Sequence, residues 1–179
     1  YMQKHFADKA EIELVEIKDL PVFNKPADKL IPAEALEIVA KIDAADGVII
    51  GTPEYDHSIP AVLMSALAWI SYGVFPLLNK PVMITGASYG TLGSSRAQLQ
   101  LRQILNAPEI KATVLPDEFL LSHSLQAFDQ NGDLVDLDVI KKLDAIFDDF
   151  RIFVKVTEKL RNAQELLRKD AEDFDWENL

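Results

Sequence analysis

The sequence predicts an α/β fold, a three-layer doubly wound arrangement in which helices cover both faces of a parallel sheet. Two observations carry that expectation. GVIIGT at 47–52, KPVMITGAS at 80–88, and KATVLP at 111–116 with its continuation over 118–121 are short apolar runs bounded by turn residues, the pattern of strands buried on both faces. Segments with helical periodicity stand between them, so strand and helix alternate along the chain.

In chain order, residues 1–9 (YMQKHFADK) read as the tail of a helix. EIELVEI (Glu11 to Ile17) alternates charged and apolar positions and is expected to be a strand. DLPVFNKPADKLIP carries three prolines and reads as an irregular loop. A helix follows over about Ala33 to Ala45, with Leu36, Val39 and Ala40 on one face, and stops at Asp46-Gly47. Further helices are expected over Ile59 to Tyr72 and over about Ser95 to Ala107, where Ala97, Leu101, Ile104 and Leu105 share a face. The last helix starts near Asp138 and aligns Val139, Leu143, Ile146, Phe147, Phe150 and Val154 in one stripe, with Asp144 and Asp148 on its acidic side. From about 157 to 179 the chain turns polar, as a helical extension or a loosely held tail.

The alternation gives four strands in one domain, 1–179. A flavodoxin-like sheet has five, in spatial order 2-1-3-4-5, with its ligand outside the carboxyl ends of the strands at the switch point beside strand 1. On that pattern strand 1 is the one missing. We therefore expect the native polypeptide to carry it ahead of Tyr1, or another element to fill its slot, because an unfilled slot strands N–H and C=O groups at about 1–3 kcal/mol each.

Composition narrows the function. Eighteen Lys and Arg against 29 Asp and Glu give a formal charge of −11, which argues against nucleic acid and anionic membranes as partners. There is no cysteine, hence no disulfide, thiolate nucleophile or cysteine zinc site. His5, His57 and His123 have no ligand spacing. Asp129 to Asp136 (DQNGDLVD) fails as a calcium loop, since Gly132 falls at position 4 instead of 6 and Ile140 stands at position 12. Asn131-Gly132 reads as a tight turn. With no long apolar stretch and no signal-peptide pattern, the expected location is cytoplasmic.

Two loops leave strand ends with unusual sequences. TPEYDHSIP offers an aromatic face at Tyr55 and a helix start, capped by Ser58 or a neighbour, with Pro60 in the first turn. SYGTLGSSRA has Gly90 and Gly93 for close backbone approach and Ser94 or Ser95 as helix caps. A planar ring held between them would rest its polar edge on peptide groups. Gly, Ser and Pro also punctuate ordinary βα turns, so it is the order and separation of the two loops that is informative.

Together with NKPVMIT and SYGTLGSSRAQLQLRQIL, these loops resemble the NADPH-dependent FMN reductases, a family that includes related quinone and azo-dye reductases. The likeness covers most of the chain. It departs at Asp56, where the family usually has Asn, at His57, where a small residue is common, and at Ser94, where it has a second Gly. The resemblance implies that Pro53, Glu54, Tyr55 and Asp56 line the flavin ring and that Ser88, Tyr89 and Gly90 border it, with Gly93 in the same loop. It also implies that a Ser-, Thr- and Arg-rich loop after strand 1 holds the FMN phosphate. The implied reaction passes hydride from NAD(P)H through FMN to a small-molecule acceptor such as a quinone, azo compound, free flavin or metal oxyanion. No side chain is assigned as acid, base or nucleophile, because the cofactor carries the chemistry. A non-catalytic flavodoxin-like electron carrier and a flavin-free scaffold are the alternatives.

Two residue-level expectations remain. AVLMSALAWISYG is apolar nearly all round, so helix 59–72 is expected to form the interface of a homodimer or homotetramer. Arg96 sits at a helix N-terminus, against the helix dipole, and needs a carboxylate from Glu54 or Glu118.

Overall fold

The computed structural model describes residues 1–172. Its elements are α1 (Met2–His5), α2 (Ala33–Ala44), β1 (Val48–Thr52), α3 (Ala61–Trp69), β2 (Pro81–Ala87), α4 (Ser95–Leu105), β3 (Thr113–Val114), β4 (Phe119–Leu121) and α5 (Leu137–Glu172). β2 is the central strand. It pairs in parallel with β1 from Val48 opposite Val82 to Thr52 opposite Gly86. Its other edge takes β3, with Thr113 opposite Pro81, and then β4, with Leu120 opposite Gly86.

β3 and β4 are two halves of one interrupted strand. Pro116 has no N–H to give a ladder, and the chain bulges there. Leu115 N–H still reaches Val82 O at 2.8 Å, and the Arg102 guanidinium satisfies Leu115 O and Asp117 O, both at 2.8 Å. The order β1, β2, β3/β4 reproduces strands 3, 4 and 5 of the flavodoxin-like pattern.

Glu11–Ile17 departs from expectation. The segment is extended but is no strand, because its alternating pattern finds no neighbouring ladder among the described residues. It is held instead by side chains: Ile12 packs toward one core and Ile17 toward the other, Glu13 pairs with Lys41 at 2.7 Å, and Leu14 is left exposed. The edge of β1 away from β2 likewise carries no strand among the described residues.

Alternation along β2 sends Val82 and Ile84 to one side and Met83 to the other. The first side is covered by α2, α3 and α4 through Ile42, Leu63, Leu67, Leu101 and Leu105. The second is covered by α1 and α5, where Phe6 stacks on Phe147 with centroids 3.8 Å apart. Asp144 and Asp148 are partly exposed, as an acidic side would be, but each is paired. His5 Nε2 hydrogen-bonds Asp144 Oδ1 at 2.6 Å and Lys9 Nζ donates to Asp148 at 2.9 Å, tying α1 and its exit to α5.

Two smaller corrections concern a helix face and a helix end. α2 buries Ala35 and Ile42 and packs Ile38 and Val39, partly buried, against the same core, while Leu36 and Ala40 are exposed. α3 is shorter than 59–72, and the proline loop covers part of its second side: Trp69 Nε1 donates to Pro21 O at 2.8 Å and Phe23 N to Ser65 Oγ at 2.6 Å. α5 continues as helix to Glu172, so the polar extension is helical that far; residues 173–179 of the expected tail lie outside the described residues.

The Asn131-Gly132 turn forms as expected. Asp129 Oδ1 accepts from Asn131 N at 2.8 Å and Asp133 N at 2.9 Å, and Gly132 has φ +76°. The Asp133 N–H is the main cause holding the Asp129 carboxyl below the usual carboxylate range. Among the described residues no group of three His, Asp or Glu is placed to hold a metal, and no helix is long and apolar enough to cross a membrane.

Candidate functional site

The two singled-out loops stand side by side at the carboxyl edge of the sheet, because β1 and β2 are adjacent and parallel. The first closes into a two-residue hairpin. Tyr55 N donates to Ser58 O at 3.0 Å and Ser58 N to Tyr55 O at 2.9 Å, with Asp56 at φ +49° and His57 at φ +62° between them. Two positive φ values in succession are the signature of a type I′ turn, which favours Asn, Asp and Gly. Asp56 suits its place. His57 occupies a conformation that disfavours it.

Ser58 does not cap α3, whose N-cap is Pro60 with no side-chain cap. Its hydroxyl donates to Gln100 Oε1 at 2.5 Å, and Ile59 N donates to the same oxygen at 2.9 Å. The first loop is thereby fastened to α4.

The second loop, Ser88 to Ser94, is braced by the residues after β4. Ser88 N donates to Leu121 O, His123 N to Gly90 O, and Ser122 Oγ to Thr91 O. Gly93 has φ +56°, and a Cβ there would stand 2.6 Å from the Leu120 backbone, so glycine is required twice over. Ser94 holds the N-cap position of α4 in the left-handed region, at φ +70°, and is fully buried. It makes no cap. Its Oγ instead accepts from Gln98 Nε2 at 3.3 Å, and the same amide donates to Phe119 O at 2.9 Å.

The missing cap comes from the other loop. Glu54 Oε2 accepts from Arg96 N at 3.0 Å and from Ala97 N at 3.3 Å, while Oε1 lies 3.5 Å from Arg96 Nη1. Of the two carboxylates offered by sequence, Glu54 therefore partners Arg96. Its side chain is turned to α4, so any contact it makes with a ring comes from its backbone.

An apolar cavity of about 350 Å³ opens beside these loops. It runs from Thr52 and Pro53 across the end of β2 (Thr85 to Ala87) to Phe119, Phe128 and Leu143. Pro53 alone of the eight sequence-predicted residues lines it. Tyr55 and Tyr89 are 62% and 74% exposed at the rim, and Asp56 and Gly90 are exposed as well. A shallower hollow of about 400 Å³ between α4 and β3 lies toward the opposite end of the sheet and gathers no reactive groups.

The site fits a flat ring with a polar edge. Among the described residues, the N–H groups of Tyr89, Gly90 and Thr91 donate to no protein acceptor, and they begin two residues on from the cavity wall at Ala87. A Cβ at Gly90 would meet nothing within 4 Å, so the backbone is open to approach. Sequence reasoning missed Gln98 and Gln100, which anchor the two loops. The signal was available for Gln98, an uncharged polar residue on the buried stripe of Ala97, Leu101 and Leu105.

The profile of the family described as NADPH-dependent FMN reductase matches residues 1–126. The chain belongs to that family. As an FMN reductase it is an NAD(P)H-dependent oxidoreductase that works through FMN, on a flavodoxin-like fold, as the resemblance implied. It is 49% identical over 178 residues to NADH:(hydroxy)cinnamate reductase subunit CrdA of Vibrio ruber, spanning 99% of this chain and 88% of that one. NADH-dependent flavin reductase subunit 2 of Lactobacillus johnsonii is 45% identical over 165 residues, 89% of each chain. Among solved structures, the flavoenzyme NAD(P)H:(acceptor) oxidoreductase FerB from Paracoccus denitrificans superposes with a TM-score of 0.73 at 28% identity, covering 88% of this chain and 86% of that one.

Proposed function

We propose that this FMN reductase holds the isoalloxazine ring between its two carboxyl-edge loops and serves quinone-type acceptors. Pro53 and the backbone of Glu54, Tyr55 and Asp56 form one side of the ring site. Ser88, Tyr89, Gly90 and Gly93 form the other. The observation that carries this assignment is the row of uncommitted N–H groups at Tyr89, Gly90 and Thr91 beside an apolar cavity, which matches a ring with one polar edge and one apolar face.

FMN, when bound, supplies the two-electron hydride chemistry. The protein orients the ring, covers one face and leaves the Tyr55 and Tyr89 rim open for a nicotinamide or an acceptor. A relative named as a 2-hydroxy-1,4-benzoquinone reductase, 34% identical over 80% of this chain, supports a quinone as acceptor.

The enzyme acts within an assembly. Val62 and Met64 of α3 remain 41% and 40% exposed after the proline loop has covered the other side, and they form the core of the contact between copies in a homodimer or homotetramer. Two relatives carry the word subunit in their names, which supports operation in an assembly. Use of NAD(P)H as co-substrate supports a cytoplasmic location.

The test is the absorbance spectrum of the full-length protein after FMN addition and desalting, followed by steady-state NAD(P)H oxidation with a benzoquinone. Retained flavin bands and quinone-dependent turnover are expected. A protein that emerges without flavin bands sinks the ring assignment, and one that retains flavin but oxidises no NAD(P)H is a carrier.

A further inference from the structure

We propose that Glu54 is a positioning residue of the flavin site, locking the two ring-facing loops into one frame through the N-terminus of α4; this rests on the ring assignment above. A helix presents four N-terminal N–H groups without intrahelical partners, and the N-cap side chain ordinarily takes one. Ser94 cannot, because its left-handed backbone turns the hydroxyl inward to Gln98. Glu54 takes two of the four from 42 and 43 residues away in sequence.

The contact is of the stronger kind. It is charge-assisted, it lies along the helix dipole, and the Glu54 side chain is only 10% exposed. Its place in the chain gives it leverage. Glu54 follows Pro53, which lines the cavity, and precedes Tyr55, which closes the hairpin, while Arg96 follows the Gly93-Ser94 turn by two residues. Gln100 fastens the far end of the same hairpin through Ser58 and Ile59. The first loop is thus registered on α4 at both ends, and Glu54 is the end next to the ring.

The arrangement also answers why a carboxylate stands in a loop that serves a flavin. A carboxylate facing the ring would oppose the negative charge that the ring gains on reduction. Directed onto Arg96 N and Ala97 N, the charge is spent on the helix end.

The test compares wild type, Glu54→Ala and Glu54→Gln in the full-length protein by FMN fluorescence titration and by amide hydrogen exchange without flavin. Glu54→Ala is expected to weaken FMN binding about tenfold, the order of one charge-assisted hydrogen bond. Glu54→Gln keeps an oxygen that accepts both N–H groups and should recover at least half of that loss on a logarithmic scale. Wild-type affinity in the alanine variant overturns the proposal, and so does a glutamine variant as weak as alanine. Exchange at Arg96 and Ala97 should quicken at least tenfold in Glu54→Ala; unchanged exchange overturns the clamp whether or not FMN binds. A wild type that takes no FMN counts against the ring assignment alone, and the exchange result then still judges the clamp. Should the alanine variant not fold, Glu54→Asp takes its place, because its shorter side chain withdraws the carboxylate from Arg96 N and Ala97 N; exchange there quickened at least threefold supports the clamp, and anything less overturns it.

Discussion

Gly86 and Ser94 interlock: a Cβ on Gly86 would stand 1.7 Å from Ser94 Oγ and 2.7 Å from Thr52 O. The central strand therefore reaches its carboxyl end through a position at which no side chain fits. Gly86→Ala must push Ser94 out of its buried place or part β1 from β2, since one obstacle is main chain. We expect a loss of about 3 kcal/mol in stability, at the upper end for overpacking, read from the urea midpoint at unchanged m value. A midpoint within experimental error of wild type would falsify the interlock.

Much of this was legible in the sequence, and the reason is periodicity. GVIIGT and KPVMITGAS are apolar on both sides because helices cover both faces, and the structure makes them neighbouring parallel strands. EIELVEI misled because alternation reports which side of an extended segment is apolar, and a strand also needs a ladder partner, which a local pattern does not contain. The site divided in the same way. The helix dipole at Arg96 foretold a carboxylate from local chemistry alone. Which way Glu54 faces, and that Ser94 would turn inward, depend on contacts 4 to 43 residues away in the chain, where sequence spacing is silent.

The hairpin tip offers a gain in stability. His57 sits at φ +62° and is exposed, so its side chain adds no packing to offset a left-handed conformation costing about 1–2 kcal/mol for an L-residue. Glycine removes that cost and gives back about 0.5–1 kcal/mol as extra freedom of the unfolded chain. His57→Gly should therefore stabilise the protein by about 0.5–1 kcal/mol in chemical denaturation. A destabilised variant would mean that the imidazole makes a contact that outweighs the turn.

Assembly through α3 has a separate signature. Val62 and Met64 are exposed in the single chain, whereas Leu63, Ala66 and Leu67 lie in its core. Charges at the first two positions should break a contact between copies and spare the fold. The double substitution Val62→Lys and Met64→Lys is expected to elute as a monomer in size-exclusion chromatography with light scattering, with far-UV circular dichroism unchanged. If wild type is itself monomeric at micromolar concentration, or the variant keeps the wild-type mass, α3 is not the interface.

The tie between the start of the chain and α5 should depend on pH in a defined direction. Asp148 accepts from Lys9 Nζ, and that hydrogen bond is the leading cause holding its carboxyl below the ordinary value of 3.8, with Arg151 adding a smaller effect. A carboxyl whose pKa is lower folded than unfolded contributes stability in full above the unfolded value, and loses it as pH falls through the folded one. Asp148→Asn should accordingly melt lower than wild type at pH 7, with the gap closing only below about pH 3.8. The aspartate is half exposed, so added salt should narrow the gap at neutral pH as well. Thermal melts of the two proteins between pH 3 and pH 7, at low and high salt, check both dependences. A gap that is constant across that range would place the effect of the substitution in packing against α1 rather than in the charge on Asp148.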